Sequence, residues 1–238
     1  MLKTILFDLD GTLLPLNMED FLKKYFQEIS VKFKDYFTPQ ELTKLIWEST
    51  EYMVKNIDAN KTNADAFFED FYSKIPYTAD LFNPMFDDFY TNNFLKVKEA
   101  TQESEYIIKA VDILKEKGYE MVVATNPLFP EKAIFHRIAW AGLNKEDFTF
   151  ITSFEKMHFC KPHLQFYEEI LGKINREPRE CMMVGNDIEE DMVAKQLGLA
   201  TYLIEDHKIH RSKDMKNVDY TGKYPDFYRF VIELPSVK

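Results

Sequence analysis

Apolar residues come in two textures along this chain. Residues Thr4, Ile5, Leu6 and Phe7 form a short apolar run without alternation. Such a run predicts a strand buried on both faces, as in a parallel sheet. From Leu16 to Lys98 the spacing is helical instead. Phe21, Leu22, Tyr25, Phe26 and Ile29 share one face, as do Leu42, Leu45, Ile46 and Met53, and later Phe67, Phe68, Phe71 and Tyr72. This stretch has no glycine and no apolar strand run, and it predicts four or five helices. Thr38-Pro39 and Ile75-Pro76 mark breaks or helix starts within it.

Beyond Ala100 helix and strand alternate. Ile107, Ala110, Val111 and Leu114 make one helix face, closed by Gly118. Strands are predicted over 119–124, 148–152, 181–184 and 199–204, the last clear one. Helices are predicted over 133–141, 162–171, 192–197 and 224–234. The rhythm predicts an α/β fold with a doubly wound, mostly parallel sheet. Ligands bind such sheets at the carboxyl ends of the strands. Asp8, Thr125, Asn126, Asn186 and Asp187 all fall just after a predicted strand.

Composition narrows the function classes. With 238 residues, 45% hydrophobic and 29% charged, the chain suits a globular protein of one large or two modest domains. A formal net charge of −10 argues against nucleic acid or anionic membrane as a partner. A small anionic substrate can still bind where a metal ion and local donors reverse the field. Cys160 and Cys181 are the only cysteines, and neither a CxxC pair nor zinc spacing occurs. Reduced thiols and a cytoplasmic location are expected. The first apolar run is too short for a signal peptide, and no segment nears the ~20 apolar residues of a membrane span.

Four features carry chemistry. Asp8 and Asp10 lie two residues apart at a strand end, followed by Gly11 and Thr12. Two such carboxylates can face one cleft, and a hard divalent cation with oxygen ligands relieves their repulsion. Thr125 and Asn126 offer donors for phosphate oxygens at the end of another strand. Lys161 precedes Pro162 and an amphipathic helix, and supplies a cation for a dense negative site. Gly185-Asn186-Asp187-Ile188-Glu189-Glu190-Asp191 follows an apolar strand with acids. His158 and His163 flank the lysine and read as structural or solvent-facing, and Glu189 and Glu190 as solvated helix-start acids.

In this order the four features resemble the motifs of the haloacid dehalogenase superfamily, across residues 1–15 and about 100–210. The resemblance implies that Asp8 attacks phosphorus, that Asp10 protonates the leaving group and later activates water, and that Thr125 holds the phosphoryl group with help from Asn126. It implies Lys161 as the accompanying cation and Mg²⁺ as cofactor, held by Asp8, the backbone carbonyl of Asp10 and Asp187. Asn186 and Asp191 then stand behind the ligands. A second register, with Asn186 at the metal position, is also open. Around Lys161 the chain departs from the family, with His163 and Leu164 where an acid and a second proline are common.

The resemblance further implies a core of residues 1–15 and 99–238 and a helical cap of residues 16–98. Phe94, Tyr52 and Tyr90 are the cap's candidates for the cleft face. The activity implied is that of a phosphatase acting on a small phosphorylated metabolite. A phosphomutase of the beta-phosphoglucomutase type is the alternative, although no second-phosphate site is evident among Lys23, Lys24, Lys32, Lys34, Lys55 and Lys61. A phosphate-ligand-binding protein without turnover is the alternative of another class.

Overall fold

The computed structural model describes residues 1–211 and 217–237. In chain order its main elements are β1 (Thr4–Phe7), α1 (Met18–Lys32), α2 (Pro39–Lys55), α3 (Asn63–Ser73), α4 (Ala79–Asp88), α5 (Glu105–Glu116), β2 (Glu120–Val123), α6 (Glu131–Trp140), β3 (Phe150–Ile151), α7 (Leu164–Ile174), β4 (Cys181–Gly185), β5 (Ala200–Ile204), β6 (Tyr220–Gly222) and α8 (Tyr224–Glu233). The strands form one parallel sheet in the order β3-β2-β1-β4-β5-β6.

Helices cover both faces of this sheet, which is why β1 shows no alternation in sequence. Ile5 and Phe7 point to one side, where Phe7 meets Phe227 of α8 edge-on. Leu6 points to the other, into a cluster with Phe166 and Ile170 of α7. All four residues of β1 are buried.

Register decides what meets at the carboxyl end. Phe7 lies level with Val123 of β2 and with Val184 of β4. Asp8 donates its N–H to Val184 O at 2.9 Å, and Ala124 donates to Phe7 O at 2.7 Å. The residues after these three strands therefore open onto one crevice. The strand order reverses there, between β1 and β4, where such sheets bind ligands.

Between β1 and α5 the chain is helical, from α1 through α4 into a π-turn (Phe89–Asn93) and a 3₁₀ stretch (Phe94–Ala100). Thr38 and Thr62 cap α2 and α3 with reciprocal bonds to Glu41 and Asp65, and Pro39 starts α2. The two ends of this insertion lie side by side. Leu16 bridges Thr101, and Gln102 donates to Pro15 O at 2.9 Å.

Three expectations need correction. The strand expected over 148–152 is only two residues long. The stretch after Asp191 is a 3₁₀ helix, Met192–Leu197, rather than an α-helix. The strand expected to be last is followed by β6, whose Tyr-Thr-Gly has no apolar run to betray it. No helix among the described residues is long and apolar enough to cross a membrane.

Candidate active site

At the carboxyl end of β1 the Asp8 side chain is nearly closed off from solvent, and its Oδ1 accepts a 2.8 Å bond from Lys161 Nζ. The same ammonium donates to Asp191 Oδ1 at 2.6 Å. Lys161 is buried, and burial alone favours the neutral amine. Asp191 and Asp8 overcome that, so its pKa is raised well above the ordinary lysine value and the cation persists. Burial pushes the Asp191 carboxyl upward against the opposing pull of Lys161.

Asp191 reaches this position because residue 185 is glycine. A Cβ there would stand 2.1 Å from Asp191 Oδ2. That oxygen instead accepts the Asp187 N–H at 2.9 Å. Gly11 allows a second close approach, with φ of 83° and a would-be Cβ 2.4 Å from Asn186 Nδ2. Asn186 is thus packed under the turn that follows Asp8. Its Oδ1 accepts from Thr12 Oγ1 at 3.0 Å, and its Nδ2 donates to His207 O at 2.7 Å.

Asp10 is held by a residue absent from the sequence reading. Its Oδ2 pairs with the guanidinium of Arg137, which projects from α6 and is 1% exposed. Arg137 Nε also donates to Ala133 O at 3.2 Å, and its Cζ lies 4.5 Å from the centroid of the Phe129 ring. Burial raises the Asp10 pKa, Arg137 opposes this, and the nearby Asp8 adds to it. Among the described residues, Asp10 Oδ1 and one guanidinium nitrogen of Arg137 are buried without a hydrogen-bond partner. A sign of Arg137 was present in sequence. It sits four residues after Ala133 and one before Ile138, on the apolar face of its helix, where a charge is out of place.

The donors expected after β2 are differently occupied. Thr125 is buried, and its carbonyl accepts from Thr152 Oγ1 at 2.7 Å. Asn126 spends its side chain on protein groups: Nδ2 donates to Glu190 Oε2 at 3.0 Å, and Oδ1 accepts the Lys161 N–H at 3.2 Å. Glu190 is therefore not a solvated acid, and burial raises its pKa. His158 bonds Glu169 of α7 at 2.8 Å, and His163 bonds Val54 O at 3.0 Å, tying the start of α7 to α2.

Asp187 is buried, and its Oδ1 accepts from the N–H groups of Glu189 and Glu190, both at 3.0 Å. Arg211 grips both carboxylate oxygens, at 2.9 and 2.7 Å. Arg211 had no signature in sequence, because nothing in its neighbourhood repeats a motif. Among the described residues, no three His, Cys, Asp or Glu side chains cluster as a metal cage. A hard cation such as Mg²⁺, which keeps several of its waters, needs only one or two of these carboxylates. The charge balance fits one. Asp8, Asp10, Asp187, Glu190 and Asp191 face the three cations Lys161, Arg137 and Arg211.

Among the cap candidates, Phe94 is fully buried in the core, and Tyr52 is exposed and outside the cavity that Tyr90 lines. Tyr90 lines a cavity between the inserted helices and the sheet loops. Lys24, Lys32, Lys55 and Lys61 are each paired with an acid.

The sequence profile of the haloacid dehalogenase-like hydrolases matches residues 5–204. The chain belongs to that family. It is 22% identical over 227 residues to pyrophosphatase PpaX of Bacillus cereus, covering 95% of this chain and 91% of that one. Its fold is similar to that of a HAD phosphatase from Thermococcus onnurineus, with a TM-score of 0.61, 18% identity and coverage of 99% and 100%. It is also similar to a magnesium-bound YfnB from Bacillus subtilis, with a TM-score of 0.57, 17% identity and coverage of 97% and 99%.

Proposed function

We propose that this hydrolase is a Mg²⁺-dependent phosphatase that takes a phosphoryl group from a small phosphorylated metabolite onto Asp8. One observation carries the reading. Asp8 stands at the end of the central strand with the Lys161 ammonium fixed on its carboxylate, while the Asp10 carboxyl is held two residues away by Arg137.

Asp8 attacks phosphorus, and the bond from phosphorus to the leaving oxygen breaks. The Asp10 carboxyl gives its proton to that oxygen. Water then attacks the aspartyl-phosphate and returns a proton to Asp10, releasing inorganic phosphate and restoring Asp8. Lys161 offsets charge on the phosphoryl oxygens, and Thr125 donates to them. Asp8, the Asp10 carbonyl and Asp187 would hold Mg²⁺, with Asn186 and Asp191 bracing the loop behind them. Bound there, the ion supplies positive charge to the phosphoryl oxygens. Residues 16–98 serve as a cap on a core of 1–15 and 99–238, hinged where Leu16 meets Thr101.

Lys24, Lys32, Lys55 and Lys61 are ion-paired, and Lys23 and Lys34 line a hollow that shares no residue with the crevice at Asp8, which favours a hydrolase over a mutase. The test is phosphate release from acetyl phosphate with and without Mg²⁺. Wild-type protein should show Mg²⁺-dependent release, and Asp8→Asn should lose at least about 1,000-fold. Unchanged turnover in Asp8→Asn would remove the mechanism.

A further inference from the structure

Between the inserted helices and the sheet loops lies a partly open cavity of about 80 Å³. Interiors normally pack with few voids larger than a water. This one is walled by Phe26 of α1, Trp47 of α2, Phe68 of α3, Tyr90, and Phe129 and Phe154 from the loops after β2 and β3. Several of these rings are only half-buried, so apolar surface stands available to a ligand. No charged side chain lines the cavity among the described residues.

One loop and one contact link the cavity to the chemistry. The loop that brings Thr125 and Asn126 to the crevice continues directly into Leu128 and Phe129 of the wall. The Phe129 ring carries the Arg137 guanidinium at 4.5 Å, and Arg137 holds Asp10. A substrate with its phosphoryl group at Asp8 and its leaving oxygen at Asp10 would extend toward this wall along the Arg137–Phe129 contact.

We infer that the leaving group is an uncharged, planar aromatic moiety seated among these rings. The inference rests on the phosphatase reading and adds its substrate class. Ring faces carry negative charge density, so a phosphate or carboxylate leaving group would be both desolvated and repelled. The neighbouring hollow shares Phe68, Phe86, Tyr90 and Phe154 and adds Asp87, Glu131 and Glu155 against a single lysine, Lys132. Lys132 is bonded to Asp87 at 2.5 Å, so the approach is acidic. The hydroxyls of Tyr25 and Tyr90, 3.0 Å apart, give the wall one polar point that can orient a ring substituent.

The test compares three alkyl phosphates whose leaving alcohols are similarly poor: 2-phenylethyl phosphate, ethyl phosphate and phosphoglycolate. Acetyl phosphate, which has almost no leaving group to recognise, reads the chemistry itself. With Mg²⁺ present, kcat/KM for 2-phenylethyl phosphate should exceed that for ethyl phosphate by about 30-fold, the worth of burying one phenyl group. Phosphoglycolate should be poorer still. Trp47 is 46% exposed, so Trp47→Ala should fold, and it should lower the phenylethyl-to-ethyl ratio about fivefold. Equal or better turnover of ethyl phosphate or phosphoglycolate, with acetyl phosphate still hydrolysed, overturns the aromatic assignment and leaves the phosphatase standing. Failure on acetyl phosphate overturns both.

Discussion

Arg137 shows how one side chain ties packing to chemistry. It is buried, lies against Phe129, and gives its charge to Asp10. A buried cation with a single carboxylate partner holds that partner in place, because the alternative is an unpaired charge in low dielectric. We expect Arg137→Met to lower kcat on 2-phenylethyl phosphate, whose alkoxide leaving group needs a proton, about 100-fold with KM little changed, as a displaced proton donor would. Arg137→Lys should recover part of kcat. Proportional loss of kcat and of folded protein in both variants would mark a packing role only.

Asp187 presents the opposite situation, a carboxylate gripped by a half-exposed arginine. If the carboxylate takes Mg²⁺, Arg211 competes for it. Calorimetric titration should then show tighter Mg²⁺ binding in Arg211→Gln and weaker binding in Asp187→Ala. Weaker binding in Arg211→Gln would assign the ion elsewhere. The strand-end positions of Asp8, Asp10, Thr125 and the acids after β4 were legible from the apolar runs before them, and that of Lys161 from the amphipathic helix it precedes. The partners of Asp10 and Asp187 were not, since they come from α6 and from the segment after β5, far away in sequence.

Both thiols are buried, and burial pushes Cys160 upward and Cys181 up to about 12. Their thiolates, the reactive forms, are therefore suppressed in the folded protein. Iodoacetamide at mildly alkaline pH should label neither cysteine until urea unfolds the chain. The linkage has a definite sign. The raised folded pKa leaves stability intact below the ordinary thiol value, and stability falls above about pH 8.5, where only the unfolded chain ionises.

At the scale of elements, legibility followed burial. β1 and β4 are buried along their whole length, and their apolar runs announced them. β6 ends in Gly222 and has two exposed residues, so hydropathy had nothing to detect. β3 is cut to two residues at the sheet edge, although its flanking residues read as strand. The inserted helices were legible from their 3.6-residue spacing, and α2 and α3 also carry capping boxes. Removing one box with Thr38→Ala should cost about 1 kcal/mol and lower the melting temperature by about 2–4 °C, measured by calorimetry. Loss of the cap leaves Asp8 and Lys161 untouched, so activity per folded molecule should stay constant.

For the whole molecule, the formal charge of −10 sets the approach of an anionic substrate. The site gathers Lys161, Arg137 and Arg211 in one crevice, but the surrounding surface repels phosphates at long range. Salt screens that repulsion. With Mg²⁺ saturating, kcat/KM for a dianionic substrate should rise modestly, about twofold, as ionic strength increases toward physiological values. A steep fall would mean that a cationic funnel dominates the field.

The nucleophile can be tested without knowing the substrate. Enzyme mixed with radiolabelled acetyl phosphate and Mg²⁺, quenched in acid during turnover and digested, should carry label on the peptide containing Asp8, and Asp8→Asn should carry none. Turnover that leaves this peptide unlabelled, or that labels another residue, would contradict the account.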